Sequence, residues 1–183
     1  FGFEEPYSDL VKALSRTQKG KNYKSFSDAR QIVGEMVGGR LQYSEDKKEW
    51  QFHDNKRRVY EITMTSEGVK KLAILDLLLG NHYLDDRSII IIDEIEANLH
   101  PSLIARLLDT VMMLAKAGVQ FFIASHSYFV IKRLYIMAHR EDVSIPVLSF
   151  DGGNCYISNL RDEMPKNPII DESINLYREE LSL

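Results

Sequence analysis

The sequence predicts an α/β fold in which a mostly parallel sheet is covered by helices and follows an antiparallel meander. Apolar runs at 88–92 and 119–124 have the length of buried strands, and an amphipathic helical pattern separates them. Earlier in the chain, short runs alternate apolar and polar residues with a period of two. Because the pattern changes near residue 64, we expect a first part at 1–64 and a second at 65–183.

The first part is expected to contain two helices and a three-stranded meander with one solvated face. Apolar spacing predicts helices at 7–14 and 27–36, the second capped by Ser27 and ended by Gly38-Gly39. The strands are predicted from alternating apolar residues: Leu41, Tyr43, Trp50, Phe52, Tyr60, Ile62 and Met64.

The second part alternates helices and strands. In chain order we expect helix, strand, helix, strand, helix, hairpin and helix at 69–79, 88–92, 101–117, 119–124, 128–139, 145–160 and 173–181. Four consecutive isoleucines at 89–92 are typical of a strand that is buried on both faces. The helix between the two strands predicts a right-handed crossover and parallel pairing.

Composition excludes several classes of protein. The 183 residues are 44% hydrophobic and 27% charged, which is typical of a folded domain and not of a disordered chain. The net charge of −4 gives no sign of a general nucleic-acid surface. A single cysteine, Cys155, excludes an internal disulfide framework, and no apolar run reaches the ~20 residues of a membrane span. We therefore expect a cytoplasmic protein without membrane contact.

Two adjacent carboxylates, Asp93 and Glu94, follow the isoleucine strand. The carboxyl ends of parallel strands are where α/β sheets bind ligands, and in a phosphate site one acid can hold Mg²⁺ while the other activates water. The next strand ends in Ser125-His126-Ser127, and Ser66 opens an apolar helix whose N-terminus suits an anion. Simpler interpretations are an acidic surface loop, a core histidine at a strand end and an ordinary helix cap.

Taken together, these motifs make residues 64–134 resemble the carboxyl-terminal half of an ABC-type ATPase domain, which is a P-loop NTPase. The resemblance is strongest to the SMC/RecF-like and OLD-like soluble AAA-family ATPases. The segment 66–70 resembles the signature loop, although it carries Glu67 where transporters have glycine. The segment 89–94 resembles the Walker B strand, followed by Ile95 where proline is frequent.

Two further segments carry the resemblance, since 96–101 resembles the D-loop and 125–127 the switch-histidine segment. The resemblance implies that Asp93 positions Mg²⁺, that Glu94 is the general base and that His126 senses the γ-phosphate. It also implies nucleotide-binding roles for Ser66, Gly68, Lys70 and Asn98. ATP would bind in a head-to-tail homodimer, in which one subunit's signature loop completes the other's phosphate site. In the family, hydrolysis is coupled to opening and closing of the dimer, and this motion acts on DNA, repair complexes or phage-defence partners.

The phosphate loop of these ATPases, Gly-x-x-x-x-Gly-Lys-Ser/Thr, does not occur in the 183 residues. Gly20-Lys21 approaches it, but Ser15 and Asn22 stand where the first glycine and the hydroxyl residue should be. We expect the loop upstream of Phe1, which would make the chain the carboxyl-terminal portion of a larger ATPase, inactive alone and prone to self-association through exposed apolar surface. The alternative is a non-catalytic interaction or regulatory module that keeps the ATPase fold.

Overall fold

The computed structural model describes Leu14 and residues 24–183, which form two compact units. The first contains the described residues up to Ile92 together with Ala97–Ile123, and the second contains Asp93–Glu96 and Ala124–Leu183. Apart from Leu14, which is helical, the helix predicted at 7–14 lies outside the described residues. The change of pattern near residue 64 falls within the first unit, and the division at that point stays a prediction.

Three helices form the core of the first unit: α1 (Lys24–Val37), α2 (Glu67–Gly80) and α3 (Pro101–Lys116). Helix α1 contacts both of the others. Their buried apolar side chains include Phe26, Ala29, Val33, Met36, Leu72, Ala73, Leu79, Ile104, Leu107, Leu108, Val111 and Leu114. The predicted cap at Ser27 is wrong, because the helix begins at Lys24 and so includes Phe26, which the core buries.

An acidic side chain is buried beside this core. Asp76 of α2 lies with its Oδ1 3.5 Å from Nε of Arg30 on α1, and its residue surface is 9% exposed. Burial raises the pKa of the Asp76 carboxyl, and the neighbouring charge of Arg30 acts in the opposite direction.

The predicted antiparallel meander is confirmed. Strands β1 (Gly39–Ser44), β2 (Glu49–Asp54) and β3 (Val59–Glu61) pair in that order. Leu41 lies opposite Phe52 and both are buried, which gives the meander its dry face. The strand predicted to include Ile62 and Met64 ends earlier. These residues form a 3₁₀ turn, which Thr65 closes by donating from its N–H and its hydroxyl to the carbonyl of Ile62.

The parallel pair consists of β4 (Ile89–Ile92) and β5 (Gln120–Ile123), with Ile89 opposite Gln120 and Ile92 opposite Ile123. The predicted parallel pairing is therefore confirmed. The prediction that the isoleucine strand is buried on both faces is wrong, since Ile89 is 60% exposed and Ile91 is 78% exposed. In the described part of the chain, β4 pairs only with β5, and the outward face of this two-stranded sheet is uncovered.

The second unit contains α4 (Tyr128–Glu141), the hairpin β6 (Pro146–Asp151) and β7 (Asn154–Asn159), and α5 (Pro168–Glu180). The hairpin is confirmed, and Gly152 and Gly153 form its turn with positive φ angles of 54° and 82°. Helix α5 starts at Pro168 rather than at residue 173, because Asn167 accepts a hydrogen bond from the Ile170 N–H and caps it. Among the helices of the described residues, none is long and apolar enough to cross a bilayer.

Candidate functional site

The acid segment, residues 93–96, follows β4 and belongs to the second unit. Glu94 has a left-handed backbone conformation, with φ at +47°, which is uncommon for a residue other than glycine or asparagine. The bend leaves Asp93 and Glu94 exposed and buries Ile95 completely. Strained backbone of this kind is concentrated at functional sites. The conformation of the segment, as well as its acidic composition, therefore makes it a candidate functional site.

His126 lies against the acid segment. Its Nδ1 is 3.6 Å from Oε1 of Glu94 and 3.5 Å from Oε1 of Glu96, and its backbone N–H donates a 3.0 Å hydrogen bond to the same Glu96 oxygen. The His126 side chain is 71% exposed and that of Glu94 is 55% exposed, whereas that of Glu96 is 11% exposed. An exposed imidazole and an exposed carboxylate therefore stand side by side, and the largely shielded carboxylate of Glu96 accepts a hydrogen bond from the His126 backbone.

The N-terminus of α2 forms a second cluster, in the first unit. Ser66 caps the helix, and its hydroxyl oxygen accepts a 3.3 Å hydrogen bond from the N–H of Val69. Gly68 is buried against the backbone of Asn98, so that a Cβ added to it would meet the Asn98 carbonyl oxygen and lie 2.7 Å from Leu99 Cδ2. Two segments that the sequence analysis selected separately are thus in direct contact.

Lys70 belongs to the same helix turn, but its ammonium group is already paired. Its Nζ lies 2.6 Å from Oε1 of Glu67, one turn earlier, and the Glu67 side chain is exposed. Ion pairs at this helical spacing are worth only about 0.2–0.5 kcal/mol, so an anionic ligand could replace Glu67 at little cost.

The predicted site residues therefore fall into two clusters. Asp93, Glu94 and His126 belong to the second unit. Ser66, Gly68, Lys70 and Asn98 belong to the first unit. Near the second group, His100 caps α3 by accepting from the Ser102 N–H at 3.3 Å.

The carboxylates of the acid segment are compatible with an Mg²⁺ site that is completed by water and by phosphates of a bound nucleotide. In the described residues there is no group of three or more His, Cys, Asp or Glu side chains that could hold a metal by themselves. Mg²⁺ usually keeps several waters and takes one or two carboxylates plus substrate phosphates, so the exposed Asp93 carboxylate fits a nucleotide-dependent site. Glu96 Oε2 is buried without a hydrogen-bond partner in the described part of the chain, a further polar atom at this segment.

Sequence reasoning assigned no role to Glu96, although it stood within the segment that resembles the D-loop. A signal was present, because the carboxylates of Glu94 and Glu96 flank an apolar residue, Ile95. The structure buries that isoleucine completely. The contact between Glu96 and His126 spans thirty positions of the chain. Such a contact follows from tertiary structure and cannot be read from local pattern.

Comparisons with known proteins support an ATPase-domain interpretation. Residues 3–132 match the family model described as "AAA domain, putative AbiEii toxin, Type IV TA system". Among curated proteins, no sequence matches this chain significantly.

Solved structures of SMC head domains are similar in fold. The SmcHead bound to the C-winged helix domain of ScpA matches with a TM-score of 0.54 and 17% identity, over 84% of this chain and 53% of that chain. A structure from work on ATP-driven dimerization and DNA-stimulated activation of SMC ATPases matches with a TM-score of 0.52 and 16% identity, over 95% and 94%. The Pyrococcus furiosus Smc head domain bound to the C-terminal domain of ScpA has a TM-score of 0.51 and 16% identity, over 94% and 39%.

The chain spans about half the length of the SmcHead chain that it matches. At identities of 16–17% these likenesses establish the fold and not the activity. They confirm the predicted α/β architecture of P-loop NTPase type.

Proposed function

The chain belongs to this family of AAA domains, and on that premise we propose that it binds and hydrolyses ATP within a head-to-tail homodimer. One observation carries the proposal above all others. His126 stands beside Glu94, and both are exposed, Glu94 just after β4 and His126 just after its parallel partner β5. This is the edge of an α/β sheet at which ligands bind.

In this proposal Asp93 holds Mg²⁺ and Glu94 is the general base. Bound Mg²⁺ would neutralise charge on the phosphates of ATP. Glu94 accepts a proton from the attacking water, a task that suits a carboxylate exposed to solvent and held in a constrained backbone. The bend at Glu94 supports the assignment, because it leaves two consecutive carboxylates exposed while the next residue, Ile95, is completely buried.

We assign to His126 the sensing of the γ-phosphate. An exposed imidazole within 3.6 Å of the base can donate a hydrogen bond to a phosphate oxygen while it remains next to Glu94. Displacement of His126 would then change the environment of the base, which couples the presence of the γ-phosphate to hydrolysis.

The second cluster is proposed to contact ATP bound by the partner subunit. Ser66 exposes a hydroxyl at the N-terminus of α2, where backbone N–H groups favour an anion. The close contact of Gly68 with Asn98 fixes the helix start against the D-loop-like segment. Lys70 supplies a positive charge from the same turn. The solved structure associated with ATP-driven dimerization supports this arrangement by analogy of fold.

We further propose that hydrolysis opens and closes the dimer in the cytoplasm and acts on DNA or on a repair or defence partner. The family description, with its putative toxin of a type IV toxin–antitoxin system, favours a defence role. Because the phosphate-loop motif does not occur in these 183 residues, we propose that they do not hydrolyse ATP alone.

Substitution of Glu94 in the full-length protein tests this function. Glu94→Gln keeps the shape of the side chain and removes its basicity, so we expect ATP hydrolysis to fall by about 10²-fold or more while ATP binding persists. Glu163→Gln, an exposed carboxylate of the same unit, is the matched control and should hydrolyse ATP at the wild-type rate. Equal turnover in Glu94→Gln and wild type would remove Glu94 from its role. Absence of both ATP binding and hydrolysis in the full-length wild type would favour a regulatory module.

A further inference from the structure

Glu96 differs from the other carboxylates of the acid segment because its side chain is largely shielded from solvent and one of its oxygens contacts both the backbone and the ring of His126. Its Oε1 accepts the 3.0 Å hydrogen bond from the N–H of His126, and the side chain is only 11% exposed. A carboxylate loses favourable hydration on burial unless hydrogen bonds replace it. Here one oxygen is compensated by His126, and the other has no hydrogen-bond partner in the described part of the chain.

The position of this hydrogen bond gives it a structural consequence. His126 immediately precedes Ser127, the cap residue of α4, whose side chain makes no capping bond of its own. Instead, Ser125 Oγ accepts a 3.1 Å hydrogen bond from the Ser127 N–H. Glu96 accepts the hydrogen bond from the His126 N–H. Two consecutive N–H groups before the helix are thus held by side chains, and the negative charge of Glu96 lies at the helix N-terminus, where it is favourable.

We propose that Glu96 is a positioning residue for ATP hydrolysis, which acts through His126. By fixing the His126 backbone, it holds the imidazole beside Glu94, so that base and sensor keep one geometry. The inference rests on the proposed ATPase function. It adds to that function a residue that contacts the sensor and controls where the sensor stands.

Replacement by alanine and by glutamine separates positioning from simple support of the fold. Glu96→Gln keeps an oxygen acceptor at the same reach, whereas Glu96→Ala removes it. A displacement of about 1 Å at a catalytic site can cost roughly 10²-fold in rate, so we expect Glu96→Ala to lower kcat by about 10- to 100-fold with a smaller change in KM for ATP. Glu96→Gln should retain kcat within about threefold. Glu163→Ala and Glu163→Gln are the matched controls.

A spectroscopic readout tests the contact independently of activity. In the full-length protein with ¹⁵N-labelled histidine, Glu96→Ala should shift the His126 amide resonance upfield as its hydrogen bond is lost. Glu96→Gln should leave that resonance near its wild-type position. If Glu96→Ala does not fold, Glu96→Asp replaces it, because the shorter side chain keeps the charge but cannot reach the His126 N–H.

The outcomes distinguish the inference from the function on which it rests. Loss of hydrolysis in Glu94→Gln, with wild-type kcat and an unmoved His126 amide in folded Glu96→Ala, would overturn the positioning role and leave the ATPase function standing. Retained hydrolysis in Glu94→Gln would overturn the proposed function, and the amide shift would then decide only whether the contact exists. A lower melting temperature for all Glu96 variants with unchanged kcat would assign Glu96 to the fold alone.

Discussion

The contact between Gly68 and Asn98 can be tested with one added methyl group. In Gly68→Ala, the new Cβ would overlap the Asn98 carbonyl oxygen, approach the Asn98 carbonyl carbon to 3.1 Å and lie 2.7 Å from Leu99 Cδ2. Leucine can adopt another rotamer, but the Asn98 oxygen and carbon are backbone atoms. The start of α2 and the loop at Asn98 must therefore move apart.

Two effects of opposite sign determine how much Gly68→Ala changes the free energy of unfolding. Alanine in place of glycine within a helix is favourable by about 0.5–1 kcal/mol. Overpacking of a closely packed contact costs about 1–3 kcal/mol, and the backbone overlap at Gly68 places the cost toward the upper end. We expect a net loss of about 1–2 kcal/mol in the free energy of unfolding. For a protein of this size, that corresponds to a decrease in Tm of roughly 2–8 °C.

Thermal unfolding followed by circular dichroism measures this loss, with Gly34→Ala as the matched control. Gly34 lies inside α1, and a Cβ there would meet only Asp76 Oδ1, at the ordinary distance of 3.7 Å. Without overlap, helix propensity should prevail, and the control should melt at or above the wild-type temperature. If Gly68→Ala is as stable as Gly34→Ala, the close approach of the signature-like helix to Asn98 is incorrect.

Two further predictions concern burial. Burial raises the pKa of Asp76, so the native state holds its proton more tightly than the unfolded chain does, and wild-type stability should fall relative to Asp76→Asn as the pH rises above the ordinary value of 3.8. Urea denaturation of both proteins across that pH range measures how their free energies of unfolding change. A parallel pH dependence in wild type and Asp76→Asn would contradict the prediction. The exposed face of β4 should promote self-association, so Ile91→Lys should reduce concentration-dependent association in sedimentation velocity. A wild-type protein whose sedimentation does not change with concentration would refute that expectation.

Features set by nearby residues were predictable from the sequence. The Gly152-Gly153 turn requires positive φ angles, which glycine adopts readily, and Ser66 before an apolar run is typical of a helix cap. The predicted hairpin and the predicted start of α2 therefore lie close to the observed ones. The parallel pairing of β4 with β5 followed from the single helix between them.

Features set by distant packing were not predictable in the same way. Helix α1 extends upstream of Ser27 because its first turn contributes Phe26 to the core. Ile91 is exposed although its strand is wholly apolar, because burial depends on what covers the sheet. The alternation of Glu94, Ile95 and Glu96 gave a local signal for Glu96, but its contact with His126 appears only when two strands have paired and their following segments meet.

The base of one subunit and the signature-like cluster of the other are proposed to act together across a dimer, and mixing of two variant subunits tests this most directly. Full-length Glu94→Gln retains the signature-like cluster, while full-length Ser66→Arg retains the base. Each variant alone should hydrolyse little ATP. In an equal mixture, half of the dimers are mixed and one of their two sites is intact, which predicts about one quarter of the wild-type rate. A mixture as inactive as its components would show that the two clusters do not act together across a dimer.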